Sequence, residues 1–526
     1  MNTKLFLIYI FILGTVSVLD ASTNIPLPVI PSTQFLITSY GASTTSLDNA
    51  SAINAAITAA NVAGGGTVVL PAGTFLSGII TMKSNVRFLL QTGDTLKMLP
   101  YGNGNGTLPY TYPNNGTTDQ YNPFIFGASL SNIEVSGSGV IEGQGDPWWT
   151  AFNSNANMKR PSMIRFRGCN TVLVTGITLQ NSPGVHLTMG QGGTTGTNAT
   201  MSYLTIKAPS TSPNTDAIDT WSWKGIYIHH CNLSEGDDNV AMDSYSQDVT
   251  IKHMTLGSGH GISVGSYATG LNNILVDSCS FTGTTNGLRL KSARGRGGSG
   301  TLACNNVTYS NITMKNVTWP IYITSNYITA PTTADTAQAI TSLTPSWENI
   351  IYKNITITGS LYAGYIWGLP EQPVKNITFD NVQINATTRG FQMCHADSVV
   401  FKNCSSITLP SGKGNAIYQP LDLLQLSGIN TTTGKSTSCT TEVEQAESTQ
   451  TIRCYPLQTS GKITIQSESP INCISIYNLT GKSVLNLSEV RKSSTEVNIS
   501  SLNAGLYIVI ISTVDAKVFR GKVIRM

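Results

Sequence analysis

Short apolar segments recur along the middle of the chain at intervals typical of a coiled solenoid. Their starts are separated by 22, 23, 25, 33, 43, 27 and 22 residues, and they lie at Leu204, Ile226, Val249, Ile274, Val307, Ile350, Ile377 and Val399. The shortest interval suits one coil of a repeat protein, and the longer ones indicate coils with loops or extra coils. Because no helices or antiparallel hairpin signals separate these strands, the pattern predicts a parallel β-helix. A β-propeller is the main competitor, but its blades need about 40 residues.

A second apolar position recurs in each coil and fixes the alignment of neighbouring coils. Its intervals are 22, 22 and 26 residues, and it is occupied by Ile218, Val240, Ile262 and Leu288. Equivalent strands of a β-helix stack about 4.8 Å apart, so these four residues are expected to lie one above another. The later coils share an aromatic-x-Asn pattern, whose asparagines are expected to stack as a ladder in the turns: Asn311, Asn354, Asn381 and Asn403.

One segment has the pattern of a clear α-helix, and it precedes the first strands. Ile53 and Ile57 lie one helical turn apart, Asp48 is a possible N-cap, and a run of three glycines begins at Gly64. The N-cap and the glycines mark the expected ends of the helix. The sequence therefore predicts a helix from Asp48 to Ala63 that caps the N-terminal end of the solenoid.

The two ends of the chain differ from the repeats. Residues 1–21 contain Lys4, an apolar run from Leu5 to Val18 and a small residue at Ala21, the layout of a cleavable secretory signal. The apolar run is shorter than the ~20 residues that span a bilayer. The β-helix is expected over residues 22–430 and a Thr/Ser-rich linker over 431–459. Residues 460–526 predict a small sandwich-like β-domain of short strands and turns.

Composition narrows the class of protein. The 526 residues include 49 glycines and only 11% charged residues, which suits an all-β chain of short strands and tight turns. A net charge of +3 indicates no general binding of nucleic acid or membrane. The nine cysteines are scattered without a CxxC pair, so no metal or cofactor is expected. Cys394 with Cys404, and Cys439 with Cys454, are possible disulfides.

Alignment on the second apolar position brings chemically active residues together. Two positions before it stand Asp216, Asp238, His260 and Asn286, with Asp237 beside Asp238. Arg289 and Lys291 follow Leu288 by one and three positions, so strand alternation turns them outward. Asp219 and Ser263 share the column of Arg289. Since carboxylates held close together repel one another, a purely structural face has little reason to contain this group, and we interpret it as a functional site.

From about Ile37 to Leu426 the chain resembles the polygalacturonases, glycoside hydrolases that degrade pectin. The resemblance is carried by four motifs in order: Asn214-Thr215-Asp216, Gly236-Asp237-Asp238, Gly259-His260-Gly261 and Arg289-Leu290-Lys291. Supporting stretches are VIEGQGDPWW, NSPGVHL and SNY, which ends at Tyr327. The resemblance implies a right-handed parallel β-helix that cleaves α-1,4-galacturonosyl linkages. The sequence departs from the family at Ala217-Ile218, where Gly-aromatic is usual, and at Asn239, where Cys is common.

The resemblance also implies a role for each site residue. Asp237 would protonate the glycosidic oxygen, Asp216 and Asp238 would activate water, and the reaction would invert the anomeric carbon. His260 would tune the acid by hydrogen bonding. Arg289 and Lys291 would bind the carboxylates of galacturonate, which a basic side chain grips well. Tyr327 would contact the sugar beside the cut, and Asn214 would support the site.

Other activities remain open at this point. A related hydrolase of rhamnogalacturonan or of substituted galacturonan would use the same fold. A pectate lyase would use calcium and β-elimination, and a non-catalytic adhesin would make the aspartate column accidental. Whether the hydrolase cuts within the polymer or at its end depends on loops over residues 101–119 and 330–347.

The last ~65 residues resemble C-terminal sorting domains that carry cargo across the outer membrane of Bacteroidetes-type bacteria. The segments that carry this resemblance are ISIYNLTGKSVL, ISSLNAGLYIVII and KVIRM. It implies secretion or surface attachment through the outer-membrane secretion machinery. The other expected partner of the chain is the pectin polysaccharide, and the chain is expected to be a monomer. A carbohydrate-binding or spacer module is the alternative.

Overall fold

The computed structural model describes residues 24–101, 123–191, 194–329, 335–403, 406–410, 416–417, 421–422, 453–455, 458–478, 483–514 and 518–526. The predicted signal segment 1–21 and most of the predicted linker lie outside these ranges. Within them, no helix is long and apolar enough to cross a membrane. The chain divides into two compact units, Met1–Cys439 and Thr440–Met526.

The first unit winds through three parallel sheets in turn, as a β-helix does. The first sheet stacks Gln34–Leu36, Gly66–Leu70, Val86–Leu90, Ser131–Gly137, Asn170–Thr175, Gly196–Ser202, Trp223–His229, Ser246–Lys252, Asn272–Asp277, the first parts of Cys304–Lys315, Trp347–Trp367 and Val374–Cys394, then Ala396–Lys402 and Leu421–Asp422. The second stacks Gly73–Ser77, Asp94–Met98, Val140–Glu142, Thr178–Gln180, Thr205–Lys207, Asn232–Ser234, Thr255–Leu256, Ser280–Thr282, the middle parts of the same long strands, and Ser406–Thr408.

The third sheet follows the second in each coil and contains the second apolar position of the sequence pattern. It stacks Ile80–Thr81, Ile125–Ala128, Ile164–Arg167, Leu187–Gly190, Ile218–Trp221, Val240–Met242, Ile262–Val264, Asn286–Lys291, Trp319–Thr324, the ends of Trp347–Trp367 and Val374–Cys394, and Ala416–Ile417. Ile218 pairs with Val240, Val240 with Ile262, and Ile262 with Leu288. The predicted register is therefore confirmed.

The first apolar series is confirmed except at its first member. Ile226, Val249, Ile274, Val307, Ile350, Ile377 and Val399 are in register on the first sheet. Leu204 precedes a strand of the second sheet instead, and Ala199 is the partner of Ile226. The error has a simple cause, because short apolar strands occur in more than one sheet of each coil.

The core of the solenoid is a continuous stack of side chains that point inward from all three sheets. Aromatic rings add to it in the later coils, where Tyr309, Tyr352, Phe379 and Phe401 stack with centroid separations of 5.1, 4.9 and 4.5 Å. Each fully buried large apolar side chain contributes about 1.5–3 kcal/mol relative to exposure. Apolar burial of this kind fixes which face of each strand turns outward and so positions the site.

The capping helix forms over Ala50–Val62, slightly shorter than predicted, with Asn49 at its N-cap position. The Asp48 carboxylate accepts hydrogen bonds from the backbone N–H of Ala50 and of Gly78, both at 2.8 Å. It therefore ties the helix start to the first coils. The prediction of a single clear helix was wrong, since Asp146–Ser154 is also helical and has Pro147 in its first turn, where a missing N–H costs nothing.

The second unit is a mainly antiparallel six-stranded sheet of Arg453–Tyr455, Gln458–Thr459, Lys462–Tyr477, Ser483–Asn498, Gly505–Thr513 and Val518–Arg525. One face buries its own small core, which includes Ile463, Ile474, Val509 and Ile511. Of the cysteines, Cys169, Cys231, Cys279 and Cys304 are buried free thiols. Both possible disulfides involve residues outside the described ranges and stay predictions.

Candidate active site

The residues that the sequence aligned lie on the outer side of the third sheet and on the turns that lead into it. Ser263 pairs in register with Arg289, and Asp219 lies two coils earlier in the same column. The catalytic strip is defined here as Asp216, Asp219, Asp237, Asp238, His260, Ser263, Arg289 and Lys291. Hydrogen bonds cross it between coils, so residues up to 53 positions apart in the chain touch directly.

Asp237 and His260 form the accessible pair of the strip. Nδ1 of His260 lies 2.9 Å from Oδ1 of Asp237, and the side-chain amide of Asn214 donates to Oδ2 of Asp237 at 3.3 Å. The Asp237 side chain is 21% exposed. Desolvation favours its protonated form, but the hydrogen bond and charge of His260 and the charge of Lys291 hold the pKa of Asp237 below its ordinary value.

Asp238 is the buried carboxylate, and its side chain is only 2% exposed. Nζ of Lys291 donates to Oδ2 at 2.5 Å, and an Arg289 nitrogen donates to Oδ1 at 3.3 Å. The Ser263 hydroxyl donates to Oδ1 at 2.8 Å. Although burial disfavours the charge on Lys291, the Asp238 carboxylate raises the pKa of Lys291 above its ordinary value. These donors fix the orientation of the Asp238 carboxylate and place positive charge against it.

Asp216 sits among other acids. Desolvation, and then the charges of Asp219, Asp237 and Asp238, raise the pKa of Asp216 well above its ordinary value. The geometry beneath it is fixed by His186, which is fully buried and whose pKa burial lowers to about 4. The neutral ring donates from Nδ1 to the Asp216 carbonyl at 3.1 Å and accepts the Ser182 N–H at Nε2, at 3.3 Å.

A second group of acids extends the negative charge along the sheet. Desolvation and the Asp243 and Asp238 carboxylates raise the pKa of Asp219 well above its ordinary value. Desolvation likewise raises the pKa of Asp243 to about 6, although its carboxylate accepts the backbone N–H of Tyr267 at 2.8 Å. Protonation is therefore favoured at Asp216, Asp219 and Asp243 and disfavoured at Asp237.

Arg160 reaches the strip from the segment after the second helix, a contact that the sequence did not indicate. It donates to the Asn214 side-chain oxygen at 2.8 Å and to the carbonyls of Pro183 and Pro213 at 2.9 and 2.5 Å. Its guanidinium lies 3.8 Å from the ring centre of Phe152. Burial lowers the pKa of Arg160 to about 10, against the attraction of Asp216 and Asp237. Arg160 thus holds the amide that donates to Asp237.

Glu235 and Asn239 lie buried beneath the aspartate pair, both with 0% exposure. The Asn239 amide donates to the Glu235 carboxyl and to the Ser258 carbonyl, and its oxygen accepts the Gly261 N–H at 2.8 Å. Desolvation raises the pKa of Glu235 well above its ordinary value. Asn239, which departs from the family pattern, therefore links the turn that carries Asp237 and Asp238 to the turn that carries His260.

Tyr327 is 39% exposed, and its ring lies beside the two basic residues. The ring centre is 5.4 Å from the Arg289 guanidinium carbon and 5.0 Å from Nζ of Lys291. Cation–π attraction of this kind holds an aromatic face next to the cations. The structure therefore brings all eight predicted site residues into one area, including Asn214 and Tyr327.

Asp237, Asp238 and His260 offer ligand atoms within 4.8 Å of one another, and they are the only such group found in the described part of the chain. Lys291 and Arg289 already place positive charge against Asp238, so a metal ion is not needed to balance it. Asp237 is thus an accessible carboxyl beside the imidazole of His260, and Asp238 is a carboxylate of fixed orientation next to Asp237 in the chain. Such a pair suits proton donation on one side and activation of water on the other.

Comparison with known proteins identifies a family for each of the two units. Residues 64–405 match the family model of glycosyl hydrolases family 28, and residues 453–525 match that of the secretion system C-terminal sorting domain. An endo-polygalacturonase of Pectobacterium carotovorum subsp. carotovorum is 34% identical over 321 residues, which are 56% of this chain and 75% of the relative. A polygalacturonase of Juniperus ashei is 32% identical over 280 residues, 51% of this chain and 53% of that protein.

Solved structures also resemble the first unit. The polygalacturonase from Erwinia carotovora ssp. carotovora aligns with a TM-score of 0.61 and 29% identity, over 73% of this chain and 100% of that one. An exopolygalacturonase from Thermotoga maritima aligns with a TM-score of 0.60 and 22% identity, over 73% and 93%, and supports the fold alone. The expected β-helix is thereby confirmed, and the sorting domain indicates a secreted or cell-surface protein.

Proposed function

Because the chain belongs to glycosyl hydrolases family 28, we propose that it is a polygalacturonase that hydrolyses the α-1,4 linkages of galacturonan in pectin. The observation that carries the proposal is the pairing of two carboxylates with different partners. Asp237 is accessible and bonded to His260, whereas Asp238 is buried against Lys291 and Arg289. An acid and a base with separate environments are what hydrolysis of a glycosidic bond requires.

In the proposed reaction Asp237 protonates the glycosidic oxygen, and Asp238 and Asp216 activate the water that attacks the opposite face of the sugar. The result is inversion at the anomeric carbon. Asp238 is suited to its role because Lys291, Arg289 and Ser263 donate hydrogen bonds that fix its orientation. In the productive state the acid proton resides on Asp237, so that Asp216 and Asp238 are free to accept the proton of the attacking water.

Asp237 must carry a proton at the moment of bond cleavage, although its pKa lies below the ordinary value in the free protein. Substrate changes this balance in one direction. A sugar bound over the exposed edge of Asp237 excludes water, and its own carboxylate adds negative charge, so both effects raise the pKa of Asp237. Nδ1 of His260, 2.9 Å away, stays in place to stabilise the carboxylate once the proton has left.

Recognition of galacturonate rests on the basic coil of the strip. Arg289 uses one nitrogen for Asp238, so other guanidinium donors remain for a sugar carboxylate, which they fit bidentately. Lys291 adds a point charge, and the exposed Tyr327 ring offers a flat apolar face beside both. A neutral polysaccharide would offer no carboxylate to the guanidinium donors of Arg289 that Asp238 does not use.

The proposal is tested by replacing the acid without changing its shape. We expect Asp237→Asn to lower reducing-end release from polygalacturonic acid by about 10²–10⁴-fold, the usual contribution of a general acid. The matched control is Asp248→Asn on the first sheet, where the amide can keep the bond to Asn273 and the left-handed backbone at φ 54. Undiminished activity of Asp237→Asn would contradict the assigned role, and unsaturated products that absorb ultraviolet light would contradict hydrolysis.

We further propose that the C-terminal unit passes the enzyme to an outer-membrane secretion machinery, the role that the sorting-domain match supports. In a host with that machinery, removal of residues 453–526 should leave active enzyme inside the cell. Equal amounts of enzyme in the medium with and without the unit would contradict this role.

A further inference from the structure

The catalytic strip does not end at its basic coil. In register with Asn286 and Arg289 on the next coil are Trp319 and Tyr322. On the coil after that, Tyr365 pairs with Tyr322, and Trp367 continues the column of Lys291 through Thr324. The columns that carry acids and bases in the middle of the solenoid thus carry aromatic rings further on. This aromatic strip is defined as Trp319, Tyr322, Tyr362, Tyr365 and Trp367.

The rings of the aromatic strip are ordered by contact with one another. Trp319 stacks on Tyr362 with centroids 3.8 Å apart, and Tyr322 stacks on Tyr365 at 4.9 Å. Tyr365 in turn stacks on Trp367 at 5.6 Å. Tyr365 and Trp367 are 8% and 7% exposed, and the other three rings are half-buried. The accessible surface is therefore a small apolar platform of Trp319, Tyr322 and Tyr362, of which Trp319 and Tyr322 pack against the buried rings of Tyr365 and Trp367.

This platform is separate from the hydrophobic core of the solenoid. Tyr365, Trp367 and Cys394 form a cluster of their own, against which Trp319 and Tyr322 pack. The core of the same coils is already filled by inward rings such as Tyr352 and Phe379. An apolar patch on an outer face contributes little to core stability and commonly marks a binding site.

We propose that the aromatic strip is a sugar-binding platform that holds the residues of the polysaccharide next to those over Arg289 and Lys291. The inference rests on the proposed function, since it extends the same cleft. One face of a pyranose ring presents C–H groups, and these are attracted to the negative face of an aromatic ring. The aromatic strip continues the register of the catalytic strip, so one polysaccharide chain can lie over both. We therefore infer that the ligand of the platform is the substrate itself.

The charges around the platform point to how it selects sugars. Arg294 is held by Glu371 at 2.7 Å and by Asp335 at 3.0 Å, so its charge is balanced within the protein. Arg389 lies beyond the platform, in register with Tyr362. A sugar over Trp319 and Tyr322 is contacted through its ring face, an interaction that does not depend on whether its carboxyl is free or methyl-esterified. Arg289, whose guanidinium carbon lies 5.9 Å from the Tyr322 ring centre, also borders this position.

The test uses the full-length enzyme and its Trp319→Ala and Trp319→Phe variants. We expect Trp319→Ala to lower kcat/KM about tenfold on long oligogalacturonides and less on the shortest cleaved ones, because only long chains reach the platform. Trp319→Phe should recover most of the loss. The same loss is expected on partly methyl-esterified chains. The control is Tyr203→Asn, an exposed ring at the end of a strand of the first sheet, whose φ of 54 suits Asn.

The outcomes separate the platform from the activity itself. If wild type releases no reducing ends from polygalacturonic acid, the proposed function fails. If wild type is active and Trp319→Ala is unchanged, or loses activity equally on all chain lengths, the platform is refuted. Thermal melting of both Trp319 variants identifies a loss of folding. If Trp319→Ala has lost its fold, oligogalacturonide binding to Trp319→Phe is measured instead. Tighter binding of long than of short chains, as in wild type, supports the platform, and loss of that dependence on chain length opposes it.

Discussion

Two columns of the same solenoid show opposite uses of stacking. On one corner, Asn354 donates to Asn311 and Asn381 donates to Asn354, both at 3.1 Å, and each residue repeats a φ close to 54. In the catalytic strip, no residue is repeated for long, since the column that starts with Asp216 and Asp238 continues with His260. The strands beside both columns nevertheless pair in parallel register from coil to coil.

The difference follows from what each side chain can exchange with its own copy. An amide has both a donor and an acceptor, so identical asparagines bond to one another from coil to coil. Ionised carboxylates only accept, so neighbouring aspartates repel, and an ionised aspartate needs a donor of another residue type. Lys291 supplies that partner to Asp238 from 53 residues away. Repetition stabilises the corner, and its interruption marks the site.

The sharpest way to break this contrast is to remove the counter-ion of the buried aspartate. Lys291→Met keeps the length of the side chain but leaves Asp238 with only Arg289 and Ser263. Because a buried charge loses its closest partner, we expect a loss of about 3–5 kcal/mol in the free energy of unfolding. Urea unfolding near neutral pH measures this. Activity on polygalacturonic acid should fall at the same time.

A double variant separates charge from packing. Lys291→Met combined with Asp238→Asn removes both charges, so it should recover much of the lost stability while staying inactive. Lys353→Met, at an exposed position of the first sheet, is the matched control and should change neither quantity by much. A double variant as unstable as Lys291→Met would show that packing, and not the unpaired charge, causes the loss.

A smaller effect on the free energy of unfolding is expected when Asp243, one of the acids beside the strip, loses its carboxyl. The pKa of Asp243 is raised to about 6, so the folded state holds a proton there that the unfolded chain releases near pH 4. Stability is therefore lost as pH rises from about 4 to 6, by roughly 2–3 kcal/mol. Asp243→Asn removes this penalty and can keep the bond from the Tyr267 N–H.

The measurement is urea unfolding of Asp243→Asn and wild type at pH 4 and pH 8. The difference in stability, variant minus wild type, should rise by about 2 kcal/mol between the two pH values. The control is Asp248→Asn, whose carboxylate lies on another face and bonds Asn273. A difference that is constant with pH would mean that the pKa of Asp243 is the same in the folded and the unfolded chain.

The residues that the sequence located are those that share a register. Ile218, Val240, Ile262 and Leu288 mark one position per coil, and strand alternation then turns Arg289 and Lys291 outward. Arg160 carries no such mark, because it reaches the site from a segment outside the repeats. Its role depends on a bend in the chain that brings it to Asn214.

His186 and Glu235 were missed for a different reason. His186 lies within the NSPGVHL stretch and Glu235 immediately precedes Gly236, so both stood beside motifs in the sequence. The repeat pattern does not show the direction in which these two side chains point, and in the structure both point inward, under the site. The second helix was missed because Asp146–Ser154 has only nine residues, too short for a helical repeat of apolar positions to be recognised.

The smallest predicted effect is that of Asn354→Gly in the asparagine corner. Asn354 makes one hydrogen bond to each neighbouring coil and adopts φ 53, which glycine also adopts without strain. Asn354→Gly should therefore lose only the exposed amide bonds, about 1 kcal/mol, whereas Asn354→Ala adds the cost of a left-handed backbone, about 1–2 kcal/mol more. Urea unfolding ranks the two variants, and activity should be unchanged in both because the corner lies on another side of the coil from the third sheet. If both variants lose the same stability, the backbone at Asn354 carries no strain and only the amide hydrogen bonds stabilise the corner. A loss of activity in either variant would mean that the corner and the site are coupled, which would contradict the contrast between them.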